Sequence, residues 1–174
     1  DFHHGRGRKT IPLPRELTYL KAYYSKDDKS PFSTFHHYYH FGADFEKIAE
    51  EVAQEKPDLV GIAALFAPYH REVLRCAEAI KKRWPVPMLL GGAQVSAMPE
   101  EMLAHPAIDF IIQGEGERPF VALLKVLQKY APQTGKSTPG VKVRGLEIQP
   151  RGLARVPNLG YKHKGKLLLN PREE

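Results

Sequence analysis

Three short stretches of this 174-residue chain combine glycine, apolar and amide residues in a way that suits holding a ligand. They are Ala63-Ala64-Leu65-Phe66-Ala67-Pro68-Tyr69, Gly91-Gly92-Ala93-Gln94-Val95-Ser96 and Gln113-Gly114-Glu115-Gly116-Glu117. With no side chains at Gly91 and Gly92, a bulky group can come close to the backbone. Leu65 and Phe66 supply an apolar wall with little ability to coordinate metal. Gly114 and Gly116 leave backbone N–H groups open to phosphate or sugar oxygens. Such a cleft would take a large ligand with an aromatic end and a phosphate. Each stretch also has a plainer reading. Gly-Gly after a strand is commonly a tight turn, and Gly-Glu-Gly-Glu a turn running into an acidic helix start.

Groups able to do catalysis are scarce. Glu115 and Glu117 could pass for an acid–base pair, yet no nucleophile or electrophile stands beside them. A hydrogen-bonding or helix-terminal role follows. His36-His37-Tyr38-Tyr39-His40 invites a metal assignment. In a strand, however, His36 and His40 stand about 13 Å apart, and zinc needs each ligand nitrogen within about 2.1 Å. Dense aromatics argue for strand, so no metal site is assigned. The single cysteine, Cys76, excludes an internal disulfide, cannot hold an iron–sulfur cluster, and fits a reducing cytoplasm. On the inner side of a helix it reads as a small core residue.

The elements that must position the three stretches alternate. Phe45, Ile48, Ala49 and Val52 recur at helical spacing between Asp44, a candidate N-cap, and Pro57. The apolar run 59–65 reads as a strand buried on both faces. Val73, Leu74, Ala77 and Ile80 mark a second helix, broken by Pro85 and Pro87, with Trp84 at its end capping the sheet edge. Met88-Leu89-Leu90 is the next strand, 99–103 a short helix, 109–112 another strand. Phe120, Leu123, Leu124 and Leu127 form the stripe of a further helix. Strands separated by helices imply a doubly wound parallel sheet covered on both faces, with ligands at the strands' carboxyl ends. Residues 17–24 suit a first helix and 32–41 a strand. Beyond Pro132 the chain turns polar, with strand candidates at 141–144 and 166–169, read together as a hairpin at the domain's edge.

A formal charge of +6 would suit an anionic partner, but the cations are scattered and no nucleic-acid motif accompanies them. Nucleic acid is therefore not an expected partner, and no apolar run is long enough to span a membrane. A cytoplasmic location is expected.

In order and spacing, Pro57-Asp58-Leu59-Val60-Gly61-Ile62, Leu65-Phe66 with Pro68-Tyr69, Gly91-Gly92-Ala93-Gln94-Val95, Pro99-Glu100-Glu101 and Asp109 through Gly114-Glu115-Gly116-Glu117 resemble the cobalamin domain of cobalamin-dependent radical S-adenosylmethionine enzymes. The resemblance is densest from His40 to Leu127, and Asn158-Leu159-Gly160-Tyr161 looks like the connector before the catalytic barrel. It implies a flavodoxin-like fold at 1–131, with an irregular extension or connector at 132–174. The nucleotide tail of cobalamin would be buried at the strand ends, under the corrin. Implied cofactor-binding residues are Ala64, Leu65, Phe66, Ala67, Tyr69, Gly91, Gly92, Ala93, Gln94, Val95, Gln113, Gly114, Glu115 and Gly116.

Mutase-type cobalamin domains use Asp-x-His-x-x-Gly, Ser-x-Leu and Gly-Gly. Here Ala63-Ala64-Leu65 stands in the Ser-x-Leu place, and Asp1-Phe2-His3-His4-Gly5 brings its glycine one residue early. The resemblance thus implies base-off cobalamin with no histidine on cobalt. Its partner would be a radical S-adenosylmethionine domain of the same full-length chain, holding a [4Fe-4S] cluster and S-adenosylmethionine, with methyl transfer as the joint reaction. The alternative is a flavodoxin-like domain that binds a flavin or nucleotide, although the Ser/Thr-rich phosphate loop a flavin wants is absent.

Overall fold

The computed structural model describes residues 8–11, 15, 18–19, 38–66, 69–129, 141–143, 146–148 and 150–173. These fall into two compact units, 1–47 and 48–174. In the first, β1 (Arg8–Ile11) pairs antiparallel with β2 (Tyr38–Phe41), Arg8 opposite Phe41 and Ile11 opposite Tyr38. The aromatic strand expected over 32–41 is thus a strand in its last four residues. Residues 1–5, His36, His37 and most of the expected helix 17–24 lie outside the described residues, Thr18 and Tyr19 sitting in a turn.

The alternation begins with α1 (Phe45–Glu55), which starts three residues before the second unit, and continues through that unit as β3 (Val60–Ala63), α2 (His70–Arg83), β4 (Met88–Gly91), α3 (Ala93–Ala97), α4 (Pro99–Ala104), β5 (Phe110–Ile112) and α5 (Glu117–Lys129). There follow β6 (Val141–Val143), β7 (Leu146–Ile148), α6 (Pro150–Leu153), β8 (Leu159–His163) and β9 (Lys166–Leu169). One sheet has the order β3-β4-β5-β8-β9. Its first three strands are parallel, with Ile62 opposite Leu90 and Leu90 opposite Ile111. Helical crossovers join them, as parallel neighbours require.

Side chains alternate between two cores, as the period of two dictates. Met88, Leu90 and Ile111 face Ala77 and Ile80 of α2, Val95 of α3, and Met102 and Leu103 of α4, with Ile48 and Val52 packed alongside. Leu89, Phe110, Ile112, Leu159 and Tyr161 face Leu123 of α5 and Leu153 of α6. Helices therefore cover both faces, as the doubly wound expectation has it. No helix among the described residues is long and apolar enough to cross a membrane.

The structure corrects the expectation in three places. β3 is buried on one face only: Val60 and Ile62 pack on the first core, whereas Gly61 and Ala63 are exposed. They lie on the α5–α6 side of the sheet, and the second core is built on β4, β5 and β8 instead. Next, 141–143 and 166–169 do not pair with each other. β6 forms a hairpin with β7, and β9 one with β8. The third concerns the extension, which is no irregular appendage: β8 pairs antiparallel with β5, Ile111 opposite Gly160, and fills the second core with Leu159 and Tyr161.

At the amino ends of β4 and β5 a polar cluster closes the sheet. Asp109 Oδ2 accepts from the Met88 N–H at 2.8 Å and from the Lys81 ammonium, which also donates to the Ala107 carbonyl. Lys162 donates to the His105 carbonyl at 2.6 Å. Burial lowers the Lys162 pKa, opposed by the Asp109 charge and reinforced by that of Lys81. Trp84 does not merely cap an edge. Its indole N–H donates to the Pro57 carbonyl at 3.1 Å, tying the end of α2 to the approach to β3.

Candidate functional site

The carboxyl ends of β3, β4 and β5 carry the loops that the sequence singles out, and a cleft of about 440 Å³ opens there. Leu89 to Gly92 line one side, Ile112, Gly114 and Gly116 another, and Glu117 and Phe120 of α5 close it. Apolar lining with few polar groups and a volume of this size suit a small-molecule site.

The two adjacent glycines do different work. A Cβ on Gly91 would meet nothing within 4 Å, so the space beside it is free for a ligand. Gly92 adopts φ 105, and a Cβ there would lie 2.7 Å from the Ala64 carbonyl oxygen. That carbonyl accepts the Gln94 N–H at 3.0 Å, and the Ala64 N–H donates to Gly91 O at 2.8 Å. Gly92 thus serves the close seating of the β4 loop on the β3 loop, a demand of the fold.

Ala93, Gln94 and Val95 are the first turn of α3 and not a loop. Val95 belongs to the first core, and the buried Gln94 carboxamide points to Met98, its Nε2 lying 3.2 Å from Sδ. Neither lines the cleft. Leu65, Phe66 and Tyr69 are 59%, 63% and 52% exposed, the two rings edge to face at 6.2 Å. Ala64 is buried, and Ala67 lies outside the described residues.

Gly114 departs from expectation. Its N–H is taken: it donates to the Ser96 hydroxyl at 2.8 Å, and Ser96 donates in turn to the Gly92 carbonyl at 3.2 Å. One serine thereby couples the β4 and β5 loops. The Gln113 N–H donates to Asn158 O at 3.0 Å, while its carboxamide, 5% exposed, receives no hydrogen bond from the described residues. Glu115 is exposed at the tip and does not line the cleft. No three His, Cys, Asp or Glu side chains among the described residues gather where a metal could sit.

Asn158 anchors the region from below. At φ 59 its side chain brackets Glu173, accepting the Glu173 N–H at 2.6 Å, while its own N–H donates to Pro171 O. The segment after β9 is thus held beside Gly114, where a Cβ would lie 3.4 Å from an Arg172 guanidinium nitrogen. Phe120 is a cleft residue that the sequence reading left in a helix stripe, while Ser96 and Glu117 stood within the singled-out stretches without an assigned role. The one available signal was the short distance in sequence from Gly116 to Glu117 and Phe120, one helical turn beyond the glycine loop.

The profile of the B12 binding domain family matches residues 13–124. The chain belongs to that family. It is 32% identical over 114 residues to an uncharacterised methyltransferase of Pyrococcus horikoshii, covering 64% of this chain and 23% of that relative. It is also 32% identical over 106 residues to the 2-(S-pantetheinyl)-carbapenam-3-carboxylate methyltransferase of Streptantibioticus cattleyicolor, covering 58% of this chain and 15% of the relative. The chain therefore spans under a quarter of either curated relative. In fold it is similar to the radical S-adenosylmethionine methyltransferase TsrM of Kitasatospora setae with cobalamin and a [4Fe-4S] cluster bound, at TM-score 0.56 and 18% identity. That match covers 75% of this chain and 21% of TsrM. The cobalamin-dependent S-adenosylmethionine radical enzyme OxsB, with aqua-cobalamin bound, matches at TM-score 0.55 over 76% of this chain and 16% of its own. This B12-binding domain is thus similar to those of cobalamin-dependent radical S-adenosylmethionine methyltransferases.

Proposed function

We infer that this domain holds cobalamin at the carboxyl edge of its sheet and serves, in the full-length protein, a radical S-adenosylmethionine domain that moves a methyl group. The observation that carries the reading is the apolar cleft whose wall at Gly91 has open space where any side chain would intrude. A further feature fits the group. Leu65, Phe66 and Tyr69 stand exposed on the neighbouring loop, as side chains meant to be covered do.

Gly91, Gly114 and Gly116 would admit the nucleotide tail, and Leu65 and Phe66 would lie under the corrin. When bound, cobalamin supplies a cobalt centre able to carry a methyl group. The chain's own residues would bind the tail and shield the lower face from water; a tail held in the cleft would be kept away from cobalt, giving a base-off form, and neither Leu65 nor Phe66 would offer a ligand in its place. Residues 132–174 then act as the connector toward the catalytic domain.

Titration of the 174-residue chain with hydroxocobalamin, followed by absorbance and equilibrium dialysis, tests the reading. Saturable one-to-one binding is expected, with none of flavin mononucleotide. Failure to bind the cobalamin would sink the proposal. Electron paramagnetic resonance of the cob(II)alamin complex tests the base-off state: the cobalt lines should lack the triplet splitting of an axial nitrogen, and triplets would refute it.

A further inference from the structure

Gly92 and Gly114 line the cleft from loops of different strands, and both have positive φ, 105 and 68. Glycine in such a loop keeps wide conformational freedom and loses much entropy when it is ordered. Ser96 fixes one loop against the other. Its hydroxyl donates to the Gly92 carbonyl at 3.2 Å and accepts the Gly114 N–H at 2.8 Å. From there the contacts continue into the last residues. Gln113, beside Gly114, donates its N–H to the Asn158 carbonyl at 3.0 Å. Asn158 is buried, and its side chain grips Glu173 on both sides. Its Oδ1 accepts the Glu173 N–H at 2.6 Å, and its Nδ2 donates to the Glu173 carbonyl at 3.4 Å. Asn170 adds two bonds of 2.7 Å to the carbonyls of Leu153 and Val156. A continuous path of hydrogen bonds and short backbone steps thus runs from the cleft wall to Glu173.

We propose that Ser96 is a positioning residue that couples filling of the cleft to seating of the segment 170–173. The coupling rests on the cobalamin reading for the ligand's identity and adds a consequence of its binding. A ligand packed beside Gly91 and Gly92 restricts the two glycine loops and meets the entropy cost of ordering them. Through the Ser96 hydroxyl that order reaches Gly114, and through Gln113 it reaches Asn158. The clasp on Glu173 then opens less often. Linkage makes the effect reciprocal: a seated segment leaves less to be ordered and so tightens the hold on the ligand. Because one hydroxyl joins the two loops, removing a single oxygen cuts the path and leaves each end intact.

Hydrogen exchange of the Glu173 amide, read by nuclear magnetic resonance on the 174-residue chain with and without saturating hydroxocobalamin, tests the coupling. Exchange should slow about fivefold on saturation, the lower end of couplings between sites. In Ser96→Ala the Glu173 amide of the free chain should exchange as in the native chain. Its response to cobalamin, however, should fall below about twofold. Ser96→Thr, which restores a hydroxyl, should restore the response. Asn158→Gly keeps the left-handed backbone and removes the clasp. By reciprocity it should weaken cobalamin binding about fivefold. Thermal unfolding shows whether each variant is folded, and the comparison on the native chain decides even if a variant is not. Saturable binding with unchanged Glu173 exchange would overturn the coupling and leave the cobalamin reading intact. So would a response of native size in folded Ser96→Ala. If hydroxocobalamin does not bind the native chain, the reading and the coupling fall together.

Discussion

At the amino ends of β4 and β5 the polar side chains answer one another inside the fold: Asp109 serves Met88 and Lys81, Lys162 serves His105, and His105 Nε2 lies 3.2 Å from Glu78. At the carboxyl ends of the same strands the loops present Leu65, Phe66 and Tyr69 to solvent and leave open space beside Gly91. Both ends belong to one sheet and draw on the same two cores. One end spends its chemistry on stability, the other leaves it unspent. Substitutions at the first should therefore change folding alone, and those at the second should change binding with little effect on folding.

Gly92 is the residue that crosses this division, and it should give the largest effect. At φ 105, ψ 179 a side chain is strained, and Gly92→Ala should destabilise the domain by about 3 kcal/mol through that strain and the Ala64 contact. Urea unfolding measures it. A loss of binding without a loss of stability would return Gly92 to the ligand site.

Asp109→Ala should follow at about 2 kcal/mol, since it strips a charged acceptor from the Met88 N–H and leaves two lysines facing each other. Cobalamin affinity per folded molecule should not change. If it did, the two ends would be coupled and the division would fail.

Gly91→Val probes the other side. It should alter stability by less than about 1 kcal/mol, because a β-branched residue suits a strand end with free space, yet reduce cobalamin affinity at least about tenfold by filling the cleft. Retained affinity would remove Gly91 from the site. Leu65→Ser with Phe66→Ser should shift stability by no more than about 0.5 kcal/mol, as exposed positions do, and raise the dissociation constant of cobalamin. Equal affinity would detach that loop from the ligand.

The smallest effect is one of pH. The folded pKa of Lys162 is lowered, so the native state sheds this proton before the unfolded chain does, whose lysines titrate near about 10.4. The unfolded state then binds more protons, and stability contributed at this site rises as pH climbs from the folded toward the unfolded value. Relative to Lys162→Met, the native chain should gain slightly between these limits. A decline over that window would show that burial does not control the group.

Much of this division was legible beforehand, for local reasons. Val73, Ala77 and Ile80 announce α2 by spacing, and Met88-Leu89-Leu90 announces β4 by its unbroken apolarity. What sequence could not convey depends on partners far along the chain. Nothing local distinguishes Gly61 and Ala63 from buried strand residues, because their exposure reflects the position of the second core. Nor does Gly91 differ from Gly92 until the Ala64 carbonyl is seen against one of them. Ser96 bridging Gly92 and Gly114, and β8 joining β5, are likewise tertiary facts. Asn158 carried a weak local sign, since asparagine tolerates the left-handed conformation it adopts.

The antiparallel return of β8 and β9 sets the direction in which the chain departs. β8 runs down from the carboxyl edge and β9 back up to it, so that residues 170–173 emerge beside Gly114, held there by Asn158. Any domain joined at this point is leashed at the rim of the cleft. A short leash holds its cargo at an effective concentration on the order of millimolar without a single new contact. A weak grip on the ligand by this domain alone would then be no handicap, because the tethered neighbour meets the ligand at each opening. The hairpin converts a strand reversal into proximity.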